Sequence, residues 1–366
     1  MRRCRAAVMT AFGSPLEIVD FPLPEVIQPG AALVKVEMAG VCGTDVHLWK
    51  GQLPIQLPVI LGHETVGRLV SVGEGLQLDW DGQPLAVGDR VTRNSSRSCG
   101  VCHYCRRRLP TRCLERKAYG ISYPADAPPY LSGGFAEYIH LQPGTAIFRL
   151  PDGLETEQVI GSGCALVTAI HGIERVGIDW GDSVLIQGAG PVGIAALAVA
   201  LSAGASRVGV IGGPARRLEM ARRFGAEMTI DLDAIPDPAV RRDVATEWSG
   251  GYGADVVIEC TGSPPAVAEG WPLCRDGGRY LVLGHYADAG ETPLNPHLIT
   301  RKELTVYGSW GSEPRHTSAG LKFLRRAAAQ FPFQEMVSES FDLSRANEAL
   351  RAMESWSARK SVVIPE

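Results

Sequence analysis

Four cysteines lie within fifteen residues of one another, and their spacing suits a metal ion. They follow the pattern Cys99-x2-Cys102-x2-Cys105-x7-Cys113 on a short polar segment. Four thiolates so closely spaced can complete a tetrahedron around Zn²⁺ without a water molecule, which is the arrangement of a structural site. Redox chemistry is the alternative for four close thiols. The lobe at about residues 95–115 has few apolar residues for a core of its own, so we expect a bound ion to order it.

Cys42, His63 and Cys164 form a second, dispersed set of candidate ligands, and each lies in a glycine-rich context. A catalytic zinc takes about three protein ligands and leaves one position open, and two cysteines with one histidine are a recognised set. An ordinary packing role in the core is the alternative for His63 by itself. The similar settings of the three residues favour a catalytic zinc site.

A glycine-rich turn with the pattern GxGxxG follows a predicted strand (183–187) and precedes a predicted helix (192–203). In this context the pattern is typical of dinucleotide binding. The first glycine permits the tight turn, the second lets the backbone approach a pyrophosphate, and the third allows close packing of helix on strand. The anion would lie at the N-terminus of the helix. The alternative is a glycine-rich turn without a ligand. The candidate cofactor-binding residues of this turn are Gly188, Gly190, Pro191, Val192 and Gly193.

The residue that selects between NAD and NADP is expected at the end of the second strand, where a carboxylate would bind the ribose 2′-OH. That position falls at Gly212 or Gly213, so an acidic selector is missing. Arg216 and Arg217 follow closely and suit a 2′-phosphate through charge-assisted hydrogen bonds. A ribose-edge or solvent-facing role is the alternative for Arg217. The prediction is NAD or NADP, with a slight preference for NADP. The predicted cofactor site also includes Thr261 and Leu283.

The pattern of strands and helices divides the 366 residues into two predicted domains. Up to about residue 150, β-branched runs bounded by Gly and Pro predict a compact, barrel-like β domain. From about residue 155, helices alternate with short apolar strands, which is typical of a parallel, doubly wound sheet. Its predicted helices are 155–177, 192–203 and 215–224, and its predicted strands are 183–187, 207–211, 255–260 and 279–284.

Charge and composition exclude several classes of function. The formal net charge is −4, which disfavours nucleic acid and anionic membranes as partners. The run Arg106-Arg107-Arg108 is interpreted as a solvated face. The longest apolar run, 192–203, is shorter than the ~20 residues that a membrane span needs. Nine cysteines without a secretory signal indicate reduced thiols and a cytoplasmic protein. Three of them are interpreted as ordinary small residues: Cys4, Cys260 and Cys274.

These motifs together resemble those of the zinc-containing medium-chain dehydrogenase/reductase family, whose members include alcohol, polyol and threonine dehydrogenases. The resemblance covers nearly the whole chain. Its motifs are GHExxGxxxxxG from Gly62 to Gly73, VGDRV at 87–91, the four cysteines, GGFAEY at 133–138 and the GxGxxG turn. It implies an α/β protein in which a Rossmann doubly wound parallel sheet (164–302) is inserted in a GroES-like β-barrel catalytic domain (1–163 and 303–366).

The resemblance also implies roles for residues at the dispersed site. The catalytic zinc would be bound by Cys42, His63 and Cys164. Glu64 matches a neighbouring carboxylate that can approach the metal, and Asp45 matches one that orients the ligating histidine. Thr44 would hydrogen-bond the substrate oxygen and accept its proton, which His47 would pass to solvent. The implied reaction is hydride transfer between an alcohol, or its aldehyde or ketone, and NAD(P), with two zinc ions per chain.

Two other functions remain as alternatives. One is an inactive, zinc-stabilised binding or scaffold protein of the same fold, against which the complete candidate site argues. The other is a nucleic-acid module, which the missing Cys–His pairing and the negative charge disfavour. The substrate alcohol is not predicted, since Trp49, 94–96 and Trp310 are pocket candidates by analogy with family positions, with packing as the alternative. The resemblance implies a homodimer or homotetramer in which the Rossmann sheet continues across the dimer axis through an apolar edge strand at 304–308.

Overall fold

The computed structural model describes residues 2–355 and 357–365. Over these residues the chain forms eighteen β-strands and ten α-helices. The strands, in chain order, are β1 (Arg3–Met9), β2 (Glu17–Pro22), β3 (Ala32–Gly40), β4 (Val59–Ile60), β5 (Glu64–Val72), β6 (Arg90–Arg93), β7 (Ser96–Arg97), β8 (Lys117–Ala118), β9 (Tyr138–Leu141), β10 (Ile147–Arg149), β11 (Ser183–Gln187), β12 (Arg207–Gly212), β13 (Met228–Asp231), β14 (Ala254–Glu259), β15 (Cys274–Val282), β16 (Thr305–Gly308), β17 (Val337–Asp342) and β18 (Lys360–Ile364). The helices are α1 (Gly43–Trp49), α2 (His103–Arg106), α3 (Thr156–Val176), α4 (Pro191–Ala203), α5 (Ala215–Arg223), α6 (Pro238–Trp248), α7 (Pro264–Leu273), α8 (His297–Lys302), α9 (Pro314–Ala327) and α10 (Ala346–Glu354).

The chain forms two compact units, of which the first comprises Met1–Cys164, Glu313–Ala328 and Phe333–Glu366. This unit is mainly antiparallel β-structure. Its largest sheet has the order β10-β6-β5-β3-β18-β17, and β9 also pairs with β3. Strand β3 is buried at seven of its nine positions, because it lies inside this sheet with partners on both sides. The β-rich first domain that the sequence predicted is therefore confirmed.

The second unit, Ala165–Ser312 with Ala329–Pro332, contains a six-stranded parallel sheet. The strand order is β13-β12-β11-β14-β15-β16, with helices connecting successive strands. Strand β11 is buried along its whole length, as expected for a parallel strand covered on both faces. Helix α4 begins with Pro191 at its first position and ends at Gly204, whose φ of 113° suits a helix C-cap. The predicted doubly wound sheet is confirmed.

The end of the inserted unit differs from the predicted boundary at residue 303. The second unit continues to Ser312, because β16 pairs in parallel with β15 and so extends the parallel sheet. Residues 329–332 also belong to the second unit. Strand β15 begins at Cys274, earlier than the predicted strand 279–284.

Helix α3 is the one helix of the described residues that is long and apolar enough, by length and composition alone, to cross a membrane. However, 61% of its apolar window is buried within the protein. The helix is also interrupted at Gly163, whose φ and ψ are not helical. A buried core helix passes the same test, so α3 is weak evidence for a membrane span.

Candidate functional site

Four side chains from three separate segments of the first unit converge on one point. One potential ligand atom from each lies within 4.8 Å of all the others, and the four residues are Cys42, His63, Glu64 and Cys164. The two sulfur atoms are 3.3 Å apart. Two thiols and an imidazole at these separations fit Zn²⁺ with one position left open. The structure thus brings together the ligand set that the sequence predicted.

Asp45 connects two of these donors. It is fully buried in the first turn of α1, accepts a hydrogen bond from the backbone N–H of Cys42 at 2.8 Å, and lies 3.3 Å from Nδ1 of His63. Because Nδ1 faces Asp45, Nε2 is the ring nitrogen available to a metal. Burial by itself would lower the pKa of His63, but the Asp45 carboxylate and the Cys42 thiol outweigh it and raise this pKa. A hydrogen bond with Cys164 lowers the pKa of Cys42 and so favours its thiolate.

Cys164 owes its position to the break in helix α3. Gly163 has a φ of 47°, in the left-handed region that favours glycine. A methyl group there would also collide with the carboxylate of Glu64 and with Nζ of Lys360. The next backbone N–H, that of Cys164, donates a hydrogen bond to Oε1 of Glu64 at 2.6 Å. Glycine is therefore required at 163 both by the backbone turn and by the space that the neighbouring charges occupy.

Lys360 forms a buried ion pair with Glu64 and was not among the predicted site residues. Burial would raise the pKa of Glu64, but the charges of Lys360 and His63 lower it to about 2, so the carboxylate is ionised. Glu64 is therefore held by Lys360 on one oxygen and by the N–H of Cys164 on the other. The signal in the sequence was a lysine that directly precedes the apolar strand-like segment 361–364.

Thr44 and His47, the predicted proton-transfer residues, both lie on α1 directly after Cys42. Thr44 is half-buried, and its hydroxyl makes no hydrogen bond with the described residues. His47 is exposed, and its Nδ1 lies 2.5 Å from Oε1 of Gln52. A half-buried hydroxyl two residues after Cys42 and a histidine at the surface have the accessibility that the predicted roles require.

The four clustered cysteines also converge, again with one sulfur from each within 4.8 Å of the others. Cys102 precedes α2, and the backbone N–H groups of Cys105 and Leu114 lower its pKa to about 6. Between residues 99 and 117 only Thr111 and Cys113 are buried. Four sulfur donors with thiolate-stabilising N–H groups fit a structural Zn²⁺, and the lobe has almost no apolar core without one.

In the second unit, the GxGxxG turn connects β11 to the N-terminus of α4 as predicted. Gly188 has a φ of 113°, and a methyl group on Gly193 would collide with the carbonyl oxygen of Gly188. Gly190 precedes the first turn of α4, and a methyl group there would meet only Nη1 of Arg217, at 3.9 Å. The space in front of the helix is therefore open, and the turn fits a pyrophosphate.

The residues expected to select the cofactor differ in exposure. Arg216 is exposed, whereas Arg217 is only 6% exposed, so the solvent-facing alternative for Arg217 does not hold. Burial, with the neighbouring charge of Arg216, lowers the pKa of Arg217 to about 10, which leaves it cationic at neutral pH. Gly212 is buried, and a methyl group on it would lie 2.9 Å from the backbone nitrogen of Ala189. A side chain at position 212 would therefore collide with the backbone, which fits the absence of an acidic selector there.

Glu259 fixes the two turns that carry Thr261 and Leu283. Its carboxylate is fully buried and accepts hydrogen bonds from the N–H and hydroxyl of Thr261, at 2.5 and 2.6 Å, and from the N–H of Gly284 at 3.1 Å. A methyl group on Gly188 would lie 3.0 Å from the Thr261 side chain, so this turn packs against the GxGxxG turn. Glu259 was not predicted, although an acidic residue inside the apolar segment 255–260 was a visible signal.

The proposed pocket-lining residues have structural partners. The indole N–H of Trp49 donates to a backbone carbonyl between β1 and β2 at 2.7 Å. The amide of Asn94 donates to the carbonyl of Ser96 at 2.6 Å. The ring of Trp310 stacks on Tyr286, with 5.3 Å between centroids. These contacts support the packing alternative for Trp49, Asn94 and Trp310.

Known proteins match this chain over nearly its full length. The family model for the alcohol dehydrogenase GroES-like domain matches residues 28–152, and that for zinc-binding dehydrogenase matches 191–326. The chain is 35% identical to 5-exo-hydroxycamphor dehydrogenase of Pseudomonas putida over 99% of both chains, and 31% identical to sorbitol dehydrogenase of Halalkalibacterium halodurans over 91% of both.

Solved structures agree with these relatives. An alcohol dehydrogenase from Thermotoga maritima matches the chain with a TM-score of 0.95 and 32% sequence identity. A zinc-binding dehydrogenase from Sinorhizobium meliloti, solved with NADP bound, matches it with a TM-score of 0.86 and 29% sequence identity. Each comparison covers 100% of both chains. The predicted GroES-like and Rossmann domains are thereby confirmed. The chain belongs to the zinc-containing medium-chain dehydrogenase/reductase family and is a dehydrogenase of the alcohol dehydrogenase type.

Proposed function

We propose that this protein catalyses zinc-dependent hydride transfer between an alcohol, or its aldehyde or ketone, and NAD(P). The observation that carries the proposal is the convergence of Cys42, His63 and Cys164, with Asp45 behind the histidine. Three protein donors of this kind are typical of a catalytic zinc with one open position, whereas a structural zinc takes four. The four-cysteine cluster supplies such a structural set, so two zinc ions per chain are part of the proposal.

The residues around the donor set would divide the chemistry among them. When bound, zinc supplies a positive charge that favours the deprotonated alcohol, and the nicotinamide of NAD(P) accepts the hydride. Thr44 has a free hydroxyl to hydrogen-bond the substrate oxygen and take its proton. His47, at the surface, exchanges that proton with solvent. Lys360 neutralises Glu64, so the carboxylate adds no net charge beside the reacting atoms.

A homodimer or homotetramer and a cytoplasmic location are also proposed. Strand β16 forms the edge of the parallel sheet, and its Val306 is 41% exposed. An exposed edge strand invites pairing with another chain, and a symmetric copy would cover it. Thiolate ligands that must stay reduced support a cytoplasmic location. A monomeric mass in light scattering at micromolar concentration would contradict the oligomer.

The function is tested by following NAD(P)H formation with the zinc-loaded protein across primary, secondary, cyclic and polyhydroxy alcohols. The names of the relatives make 5-exo-hydroxycamphor and sorbitol suitable members of that panel. Cys42→Ser is the matched control, because it removes one proposed ligand and leaves the four-cysteine cluster intact. Turnover by the native chain and none by the variant is expected. Cofactor binding without turnover of any alcohol would favour the inactive scaffold alternative.

A further inference from the structure

A carboxylate lies beside the two glycines where the cofactor-selecting acid was expected. Strands β12 and β13 are parallel neighbours, and the last residue of β12, Gly212, is paired in register with Asp231, the last residue of β13. Residues paired in register point to the same face of a sheet. In a dinucleotide-binding sheet the adenosine ribose is bound at this end of the second strand. The side chain of Asp231 thus starts at the carboxyl edge of the parallel sheet, on the same face as Gly212, where that ribose would lie.

The space next to the glycines is open toward Asp231. A methyl group on Gly213 would meet only Oδ1 of Asp231, at 3.9 Å, whereas one on Gly212 would strike the backbone at Ala189. Apart from the chain neighbours of Gly213, the Asp231 carboxylate is therefore the group that a ligand at this point would approach. The bare backbone of Gly212 and Gly213 leaves room for a ribose to approach a carboxylate supplied by the neighbouring strand.

Asp231 keeps part of its hydrogen-bonding capacity. The side chain is half-buried, and Oδ1 accepts a hydrogen bond from the N–H of Asp233 at 3.0 Å. No arginine or lysine of the described residues forms an ion pair with it. An ionised carboxylate can accept about four hydrogen bonds, so Asp231 retains acceptors for hydroxyl groups.

The buried arginine of this region is directed elsewhere. A methyl group on Gly190, the residue before α4, would lie 3.9 Å from Nη1 of Arg217. The guanidinium therefore lies over the turn that fits the pyrophosphate, where a cation is useful for NAD and NADP alike. Arg216 is exposed. A cation beside this turn attracts either nucleotide, so the position of Nη1 does not by itself favour a 2′-phosphate.

Resting on the proposed function, we infer that Asp231 is the residue that selects the cofactor, accepting the ribose hydroxyls of NAD and repelling the 2′-phosphate of NADP. The acid comes from the third strand of the sheet in place of the second. With Asp231 in this role, the protein prefers NAD, in contrast to the slight preference for NADP expected from the glycines and arginines. It also separates this chain from its Sinorhizobium meliloti relative, whose structure holds NADP.

The test is equilibrium binding of NADH and NADPH to the zinc-loaded full-length protein, followed by nucleotide fluorescence without substrate. The native protein is expected to bind NADH more tightly. Asp231→Asn keeps the acceptor for Asp233 and removes the charge, so it should shift the NADPH-to-NADH affinity ratio toward NADPH by about 10- to 100-fold. Asp243→Asn, the same change on the exposed side of α6, should leave the ratio unchanged.

An unchanged ratio in Asp231→Asn, or an equal shift in Asp243→Asn, would overturn the inference while leaving the proposed function intact. Absence of binding of either nucleotide to the native protein would instead overturn the proposed function. If Asp231→Asn does not fold, competition between NADH and adenosine nucleotides for the native protein provides a second test. ADP should displace NADH at lower concentration than 2′,5′-ADP, and the reverse order would refute the role of Asp231.

Discussion

Nζ of Lys360 lies 2.5 Å from Oε2 of Glu64, and the two side chains are 3% and 4% exposed. The pair exists because β18 runs beside the end of β3 and so brings the C-terminal segment to the donor set. Methyl groups on Gly40 or Gly163 would collide with the pair, so both glycines leave the space that it fills. The Glu64–Lys360 ion pair next to the proposed catalytic zinc, together with the two glycines that leave space for it, therefore comes from four separate segments of the chain.

Replacing Lys360 by Met should destabilise the protein, because Glu64 is left as a buried carboxylate without a counter-charge. Breaking a buried ion pair typically costs about 3–5 kcal/mol. The free energy of unfolding of the zinc-loaded protein in urea at pH 7 measures it. The double variant Lys360→Met/Glu64→Gln should lose less than the single one, since no unpaired charge remains.

Lys50→Met is the matched control for that comparison, because Lys50 makes an ion pair with Glu354 at 2.8 Å in which both side chains are partly exposed. Such surface pairs contribute only about 0–1 kcal/mol. An equal loss in Lys360→Met and Lys50→Met would show that the Glu64–Lys360 pair is unimportant for stability.

Much of the fold followed from local patterns. The strand predicted at 183–187 has those bounds in the structure, and α4 begins one residue before its predicted start, at Pro191. Apolar parallel strands bounded by glycines give strong signals, since both faces are buried. The second unit continues beyond residue 303, because β16 pairs with β15 and extends the parallel sheet.

The site was predictable where a residue carries its own motif, as Cys42 and His63 do. Lys360 and Glu259 are different, because a buried charge is explained only by partners from distant segments. The lack of room at Gly212 depends on Ala189, which the turn brings close. Tertiary contacts of this kind leave no spacing pattern in the sequence.

The two proposed zinc sites should respond differently to loss of one ligand. Elemental analysis of freshly purified protein should give two zinc ions per chain. Cys102→Ser should lower stability toward urea, because the lobe around it has almost no buried side chains. Cys42→Ser should stop turnover with an unchanged circular dichroism spectrum. One zinc or none in the native protein, or variants that merely alter substrate preference, would contradict the division between the sites.

Thr44→Ala should reduce kcat more than His47→Ala. The hydroxyl of Thr44 would touch the substrate oxygen, whereas water can partly replace an exposed histidine in relaying a proton. General acid–base groups typically contribute about 10²–10⁴-fold, and Thr44→Ala should fall in that range. Thr44→Ser, which keeps the hydroxyl, should retain most activity. A larger loss of kcat at His47 would reverse the two roles.

The stability of the protein below neutral pH should depend on His140. This residue lies on β9, is 2% exposed, and has no hydrogen-bond partner at Nδ1. Burial lowers its pKa below the ordinary value of 6.5. As the pH falls below about 6.5, the unfolded chain therefore takes up a proton before the folded one does. Stability should be highest above that pH and decline as the pH approaches the lowered pKa of the folded state.

For one proton, the free energy of unfolding should fall by at most about 1.4 kcal/mol per pH unit. His140→Gln removes the titrating group, so its free energy of unfolding should fall less steeply than that of the native protein between pH 7.5 and 5.5. His297→Gln, which changes an exposed histidine, should retain the native slope. Urea unfolding of the zinc-loaded proteins at several pH values gives the three slopes. Equal slopes of the free energy of unfolding against pH for the native protein and His140→Gln would contradict this prediction. They would mean that His140 takes up its proton as readily in the folded state as in the unfolded chain.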